Sequence, residues 1–286
     1  MNKALRSLAR SAFHAVGGTL ATRVRNRNGV RILMYHRFKM ASRLEEQCAH
    51  LQKYYRPISL TEVGWWLRKK GDIPQGAVVF TVDDGYRDFF VNAYPVVSAF
   101  KIPALVYLAT DMIDQRTCLW VDWVRLLCGD EVKNRLKKVP NAERLHYLDQ
   151  LPKGGAVPEE NTPLQWDEIR LMAKEGIEFG AHTRSHPILA RLETREQVWG
   201  EIAGSKARIE RELGAAVLHF CYPNGNVGDF TDETVDVVKE CGYLTAVTAG
   251  KGVNFAGADP FRLRRIHQEP WIPAVRFAQT VAGLPD

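Results

Sequence analysis

Two aspartates, Asp83 and Asp84, stand side by side before Gly85, where the strand opened by the apolar run A-V-V-F (77–80) should end. In α/β folds ligands gather at the carboxyl ends of strands, where one carboxylate can take a proton while its neighbour holds a metal ion. The same three residues are also ordinary turn chemistry. A second run, I-E-F-G-A (177–181), leads into H-T-R-S-H, His182 to His186. Imidazoles at i and i+4 can reach one cation from a helical turn or a turn entering a helix. Two histidines and one aspartate make a facial set that leaves coordination positions open for water and substrate. Such a centre lowers the pKa of bound water and polarises a carbonyl, and the second aspartate is then free to take the proton. The third element is F-C-Y-P-N-G, Phe220 to Gly225. A post-strand loop holding Pro223 and Gly225 can aim backbone N–H groups at a developing oxyanion, or it can be a plain Pro-Asn-Gly turn.

The segments that must position these residues alternate strand with helix. Strands are expected at R-I-L-M-Y-H (31–36), at the run 77–80 ahead of the aspartates, and at P-A-L-V-Y-L-A (103–109), 177–182, 217–222, 243–248 and 261–266. Between them, helices are expected from Ser42 to about Tyr54, from Thr61 to Gly71, and from Arg87 to Phe100 with Pro95 kinking or shortening it. Further helices are expected from Thr162-Pro163 to Gly176, Thr194 to Leu213, Thr231 to Gly242 and Pro273 to Ala282. About eight such units predict one α/β domain, a closed or nearly closed barrel of parallel strands. Residues 111–162 break the rhythm and read as an insertion over one end of the fold, with a Lys-Gly-Gly turn and too little apolar content for a core of its own. The expected organisation is an N-terminal arm at 1–28 and a catalytic unit at 29–286.

With 286 residues, 45% hydrophobic and 25% charged, the chain is globular in composition. Its net charge of +6 is concentrated at the start, where Lys3, Arg6, Arg10, Arg23, Arg25, Arg27 and Arg31 occur with no acidic residue. Leu5, Leu8, Ala9, Ala12, Phe13 and Val16 follow helical spacing among them. This predicts an amphipathic helix lying on an anionic membrane surface, with packing on the body as the other option. No nucleic-acid-binding signature is present. Five scattered cysteines, none in C-x-x-C spacing, point to a reducing compartment. The expected location is cytoplasmic, with peripheral contact at the inner face of the cytoplasmic membrane left open.

T-V-D-D-G (81–85), H-T-R-S-H (182–186) and Y-P-N-G (222–225), in this order, resemble the polysaccharide deacetylase family with the NodB homology domain, over roughly residues 30 to 270. Met34-Tyr35-His36 resembles the opening strand of a branch that includes exopolysaccharide and surface-glycan deacetylases. The resemblance implies a distorted (β/α) barrel and a divalent metal, Zn²⁺ first, with Co²⁺, Ni²⁺ or Fe²⁺ as options. It also implies hydrolysis of an acetyl group, usually from an N-acetylated sugar or polysaccharide that can be lipid-linked. Carried onto matching positions, Asp83 is the general base, and Asp84, His182 and His186 are the metal ligands. The backbone N–H of Asn224 meets the oxyanion, with Tyr222 and Pro223 at the substrate. His36 is the catalytic acid, and His267 its rival.

Two departures matter. Val82 replaces the usual Phe of T-F-D-D-G, and Cys221 stands where the family commonly has an arginine that orients the catalytic aspartate. Arg265, on the last strand, is the candidate to supply that charge. Trp120 and Trp123 could stack on sugar rings or anchor the insertion, whereas Trp65, Trp66, Trp166 and Trp199 read as helix packing. The expected activity is a metal-dependent sugar deacetylase. The alternatives are a hydrolase of a non-sugar amide on the same frame, or a catalytically silent glycan-binding protein.

Overall fold

The computed structural model describes residues 10–69, 73–152 and 156–284. The first part of the expected N-terminal helix, the Gly71 helix end and the Lys-Gly-Gly turn fall outside the described residues. Eight strands run β1 (Arg31–Tyr35), β2 (Arg56–Pro57), β3 (Ala77–Val82), β4 (Ala104–Leu108), β5 (Glu178–Ala181), β6 (His219–Cys221), β7 (Thr245–Lys251) and β8 (Leu263–His267). Every pairing between them is parallel, in the order β1-β8-β7-β6-β5-β4-β3-β2, and β1 also pairs with β3. That last pairing, with Arg31 opposite Val78 and Tyr35 opposite Val82, closes a seven-stranded barrel and leaves β2 outside it against β3.

Parallel strands covered on both faces read as continuous apolar runs. R-I-L-M-Y, A-V-V-F-T-V and A-L-V-Y-L are buried at every position. Arg31 is the odd member. Fully buried rather than part of a basic arm, its guanidinium donates to the carbonyls of Val281 (2.8 Å), Gly29 (3.0 Å) and Asn26 (3.0 Å). It thereby fastens the end of the helix Ala274–Ala282 to the mouth of β1. No described helix is long and apolar enough to cross a membrane.

Helix ends follow the local signals in most places. Thr194 and Thr231 cap the helices Arg195–Leu213 and Asp232–Glu240, and Gly214 ends the first in the left-handed conformation. Thr162-Pro163 does not start a helix. Pro163 bridges Tyr86, and Leu164 N–H donates to Gly85 O at 2.9 Å, so the chain stays extended until Gln165 caps Trp166–Lys174. The segment around Pro95 begins as a π-helical turn, Phe89–Ala93, before the α-helix Tyr94–Ala99. A proline cannot donate back along the helix, and the widened turn absorbs that mismatch. Over the carboxyl ends of the strands lie the helices Thr110–Gln115, Trp120–Leu136, which breaks at Gly129, and Asn141–Asp149. Trp65 and Trp199, expected as packing residues, are 46% and 43% exposed on the outer faces of their helices.

Candidate active site

Successive strand ends deliver the site residues to one mouth of the barrel. Asp83 N–H donates to Tyr35 O (2.9 Å), His182 N–H to Leu108 O (2.9 Å) and Tyr222 N–H to Val247 O (3.2 Å). Each chain leaves its strand in register with a neighbour and then turns sharply. Asp84 (φ 76°), Thr183 (φ 65°), His186 (φ 56°) and Asn224 (φ 60°) all take the left-handed conformation, which is costly for residues with a Cβ. The surroundings enforce it. Glu201, on the helix Arg195–Leu213, accepts from Arg184 N–H (2.8 Å), Ser185 N–H (2.9 Å) and Ser185 Oγ (2.6 Å), clamping the histidine loop from behind. Behind Asn224, Gly225 (φ 64°) leaves no room for a Cβ, which would stand 2.9 Å from both Ala249 N and Tyr222 O.

Asp83 is 2% exposed and held by a fork: Arg265 Nη1 donates to Oδ1 at 2.6 Å and Nη2 to Oδ2 at 2.7 Å. The same guanidinium donates from Nε to Thr248 O at 2.8 Å, and its Nη2 lies 3.2 Å from Cys221 Sγ. Burial alone would push the Asp83 carboxyl up, but Arg265, helped by His36, holds it below the usual carboxylate range. His36 Nε2 is 3.6 Å from Asp83 Oδ2. His267 stands aside, 6.0 Å from the His36 ring and 3.5 Å from Glu269, and does not line the cavity.

Asp84 Oδ1 lies 3.4 Å from His182 Nε2 and 3.5 Å from His186 Nε2, and the two Nε2 atoms are 3.2 Å apart. Tetrahedral coordination at about 2.0–2.1 Å puts ligand atoms roughly 3.3–3.4 Å from one another, so these three edges fit a divalent cation. His182 Nδ1 donates to Cys221 O at 2.7 Å, which turns the lone pair of Nε2 toward the cluster. Burial opposes charge on both imidazoles. Against it, Cys221 and Asp84 raise His182, while His186, facing His182, is pushed down to about 3. Burial likewise opposes ionised Asp84, and hydrogen bonding to His182 with the charge of His186 reverses this and lowers its carboxyl. A second grouping, Asp83, His182 and Cys221, is a poor cation site. Its carboxylate is committed to Arg265, its imidazole Nδ1 to a carbonyl, and burial raises the thiol pKa.

These groups line one cavity of about 350 Å³ together with His36, Asn224 and residues from the overlying helices. Several of the latter escaped the motif reading. Tyr86 O–H donates to Asp122, which Arg37 Nη2 also meets at 2.8 Å, and Lys137 Nζ donates to Asn224 Oδ1 at 2.9 Å. Two expected sugar platforms are elsewhere. Trp120 is 9% exposed, donates from Nε1 to His186 O at 2.8 Å and carries the Arg144 guanidinium over its ring at 4.9 Å. With Trp123 it borders a neighbouring cavity of about 550 Å³. Helical spacing turns residues 120 and 123 away from Val121, Asp122 and Arg125, which face the aspartates. Tyr222 is also committed, its ring stacked on Phe230 at 4.0 Å and its O–H donating to Phe261 O at 3.0 Å, so only its inner edge borders the cavity. Pro223 does not line the cavity.

A model of the polysaccharide deacetylase family matches residues 70–246, more than half of the chain. Among curated proteins, the chain is 22% identical over 261 residues to the putative polysaccharide deacetylase YxkH of Bacillus subtilis (strain 168), covering 88% of this chain and 76% of that protein. It is 38% identical over 65 residues to the poly-beta-1,6-N-acetyl-D-glucosamine N-deacetylase of Escherichia coli (strain K12), a match spanning 22% of this chain and 10% of that enzyme. Among solved structures, the Streptococcus pyogenes deacetylase PplD in complex with acetate superposes with a TM-score of 0.66 at 20% identity, covering 88% of this chain and 98% of that one. At that identity the likeness is one of fold.

Proposed function

The chain belongs to the polysaccharide deacetylase family, and on that premise we propose that it hydrolyses the N-acetyl group of a sugar within a glycan, releasing acetate and leaving the free amine. One observation carries the reading: a single cavity holds an arginine-bound carboxylate, an Asp-His-His set with cation-sized edges, and a further histidine beside that carboxylate. The short match to the Escherichia coli enzyme supports an N-acetylhexosamine as the reacting sugar.

Asp84, His182 and His186 would hold the cation, with Zn²⁺ suited to one carboxylate and two imidazoles at tetrahedral spacing. When bound, it supplies Lewis acidity, which acidifies water and polarises the acyl oxygen. Asp83 takes the proton from the attacking water. Held ionised by Arg265 it is a weak base, so its contribution is position as much as proton affinity. The Asn224 N–H, fixed by its left-handed turn, donates to the oxyanion. His36, with an imidazole edge 3.6 Å from Asp83, gives the proton that lets the amine leave.

The test couples metal content to product. Asp84→Ala and His182→Ala should each lose the bound cation and abolish acetate release from N-acetylglucosamine oligomers. Full acetate release by chelator-treated, metal-free protein would overturn the mechanism.

A further inference from the structure

Of the lysines and arginines that line the catalytic cavity, all but one touch a carboxylate. Arg265 is matched to Asp83. Arg37 and Arg125 both lie on Asp122, at 2.8 Å and 3.4 Å, and Arg125 also meets Asp130 at 3.3 Å. Asp84 is enclosed by His182 and His186. Lys137 remains. It follows the helix Trp120–Leu136, is half-buried, and its Nζ reaches the cavity wall to donate to the neutral amide oxygen of Asn224 at 2.9 Å. Among the described residues no carboxylate lies within ion-pair distance of it. Asp229 and Asp84 act on it without contact, and the Asp229 carboxylate is bound by Asn224 Nδ2 (2.5 Å) and Asn226 N–H (2.8 Å). An ammonium group carries three donors, and the protein uses one of them. A partly desolvated cation with no carboxylate in contact is costly unless something anionic meets it.

We infer that Lys137 reads a negatively charged group on the substrate, so that the site selects an acetylated glycan carrying a carboxylate or phosphate over a neutral one. The inference rests on the deacetylase reading above and adds the charge of its substrate. Lys137 is then a specificity residue contributed by the helices laid over the barrel, and Asn224 Oδ1 holds its head against the wall.

The experiment compares three probes: a neutral N-acetylglucosamine tetramer, a hyaluronan oligosaccharide for the carboxylate, and a phosphorylated N-acetylglucosamine disaccharide for the phosphate. For the wild-type protein, kcat/KM should be about tenfold or more higher on at least one anionic probe, and rising salt should narrow the gap. Lys137→Met should bring the ratio toward one, chiefly through KM, while Lys137→Arg should keep it. Which anionic probe is preferred identifies the group recognised. No preference in the wild type, or an equal loss on all probes in Lys137→Met, would overturn the inference and leave Lys137 a support for Asn224. Failure of the deacetylase reading looks different: acetate is released from none of the probes. In that event calorimetric binding of the anionic probes decides, since a Lys137-dependent affinity supports the inference and equal affinity in Lys137→Met overturns it.

Discussion

Arg265 and Cys221 together solve a problem at Asp83. The guanidinium arrives from β8, and the small thiol of Cys221, 3.2 Å from Nη2, leaves room for it beside β6. Arg265→Met should cost about 3–5 kcal/mol of unfolding free energy, because it leaves Asp83 buried without its partner. The pH consequence has a definite sign. Asp83 is depressed in the folded protein, so its stabilising contribution is complete above about pH 4 and fades as pH falls toward the folded value. Without Arg265, burial is opposed only by His36 and His182, so the carboxyl should rise and the acid limb of kcat/KM move upward by about 1–3 pH units. Arg265→Lys should recover the charge without the fork and restore only part of the shift. A superimposable profile with intact turnover would remove Arg265 from the mechanism. With a bidentate arginine on Asp83, the absent arginine of the Y-P-N-G strand no longer speaks for a catalytically silent protein.

At the scale of elements, the helix Arg195–Leu213 acts as an outer brace. Through Glu201 it fixes three polar hydrogens of the loop that carries both imidazoles. Glu201→Ala should weaken Zn²⁺ affinity about 10- to 100-fold, measured by competition with a chelator, while Asp84, His182 and His186 remain in place. This brace marks where sequence reading stops. Asp83, Asp84, His182 and His186 are visible because each follows an apolar run and because their spacing has a chemical use. Glu201, Lys137 and Asp122 carry no such local mark. Asp122 meets Arg37 across 85 residues and Lys137 meets Asn224 across 87, so only the closed barrel shows them as neighbours. The tryptophans were legible in another way. Counting helical phase from Asp122 and Arg125 separates residues 120 and 123 from the catalytic side, whereas aromatic type alone does not. Thr162-Pro163 is the reverse case, a good local cap signal overruled by the bridge from Pro163 to Tyr86.

At the scale of the molecule, both ends of the barrel bury titratable groups. At the start of β6, His219 sits between the hydroxyls of Thr61 (2.9 Å) and Thr245 (2.8 Å), and burial pushes its imidazole down to about 3. The unfolded chain takes up that proton near pH 6.5 while the folded chain does not, so stability should fall as pH drops from about 6.5 toward 3. Between pH 7 and 5, urea unfolding should show the wild type losing about 2 kcal/mol more than His219→Gln. Equal losses would mean that His219 is protonated in the native state.

The closure of the barrel also has a meaning in time. β8 slots between β1 and β7, yet it is the last strand in chain order. During vectorial synthesis, His36, Asp83, Asp84, His182, His186 and Asn224 all emerge before it, and domains fold as units once their parts are available. Until residues 263–267 appear, β1 and β7 lack the strand between them and Asp83 has no guanidinium to meet. A product truncated before β8 would therefore carry both carboxylates and both imidazoles, with Asp83 lacking its arginine. Under the proposed mechanism, the pair of Asp83 with Arg265 would be completed only with the final strand.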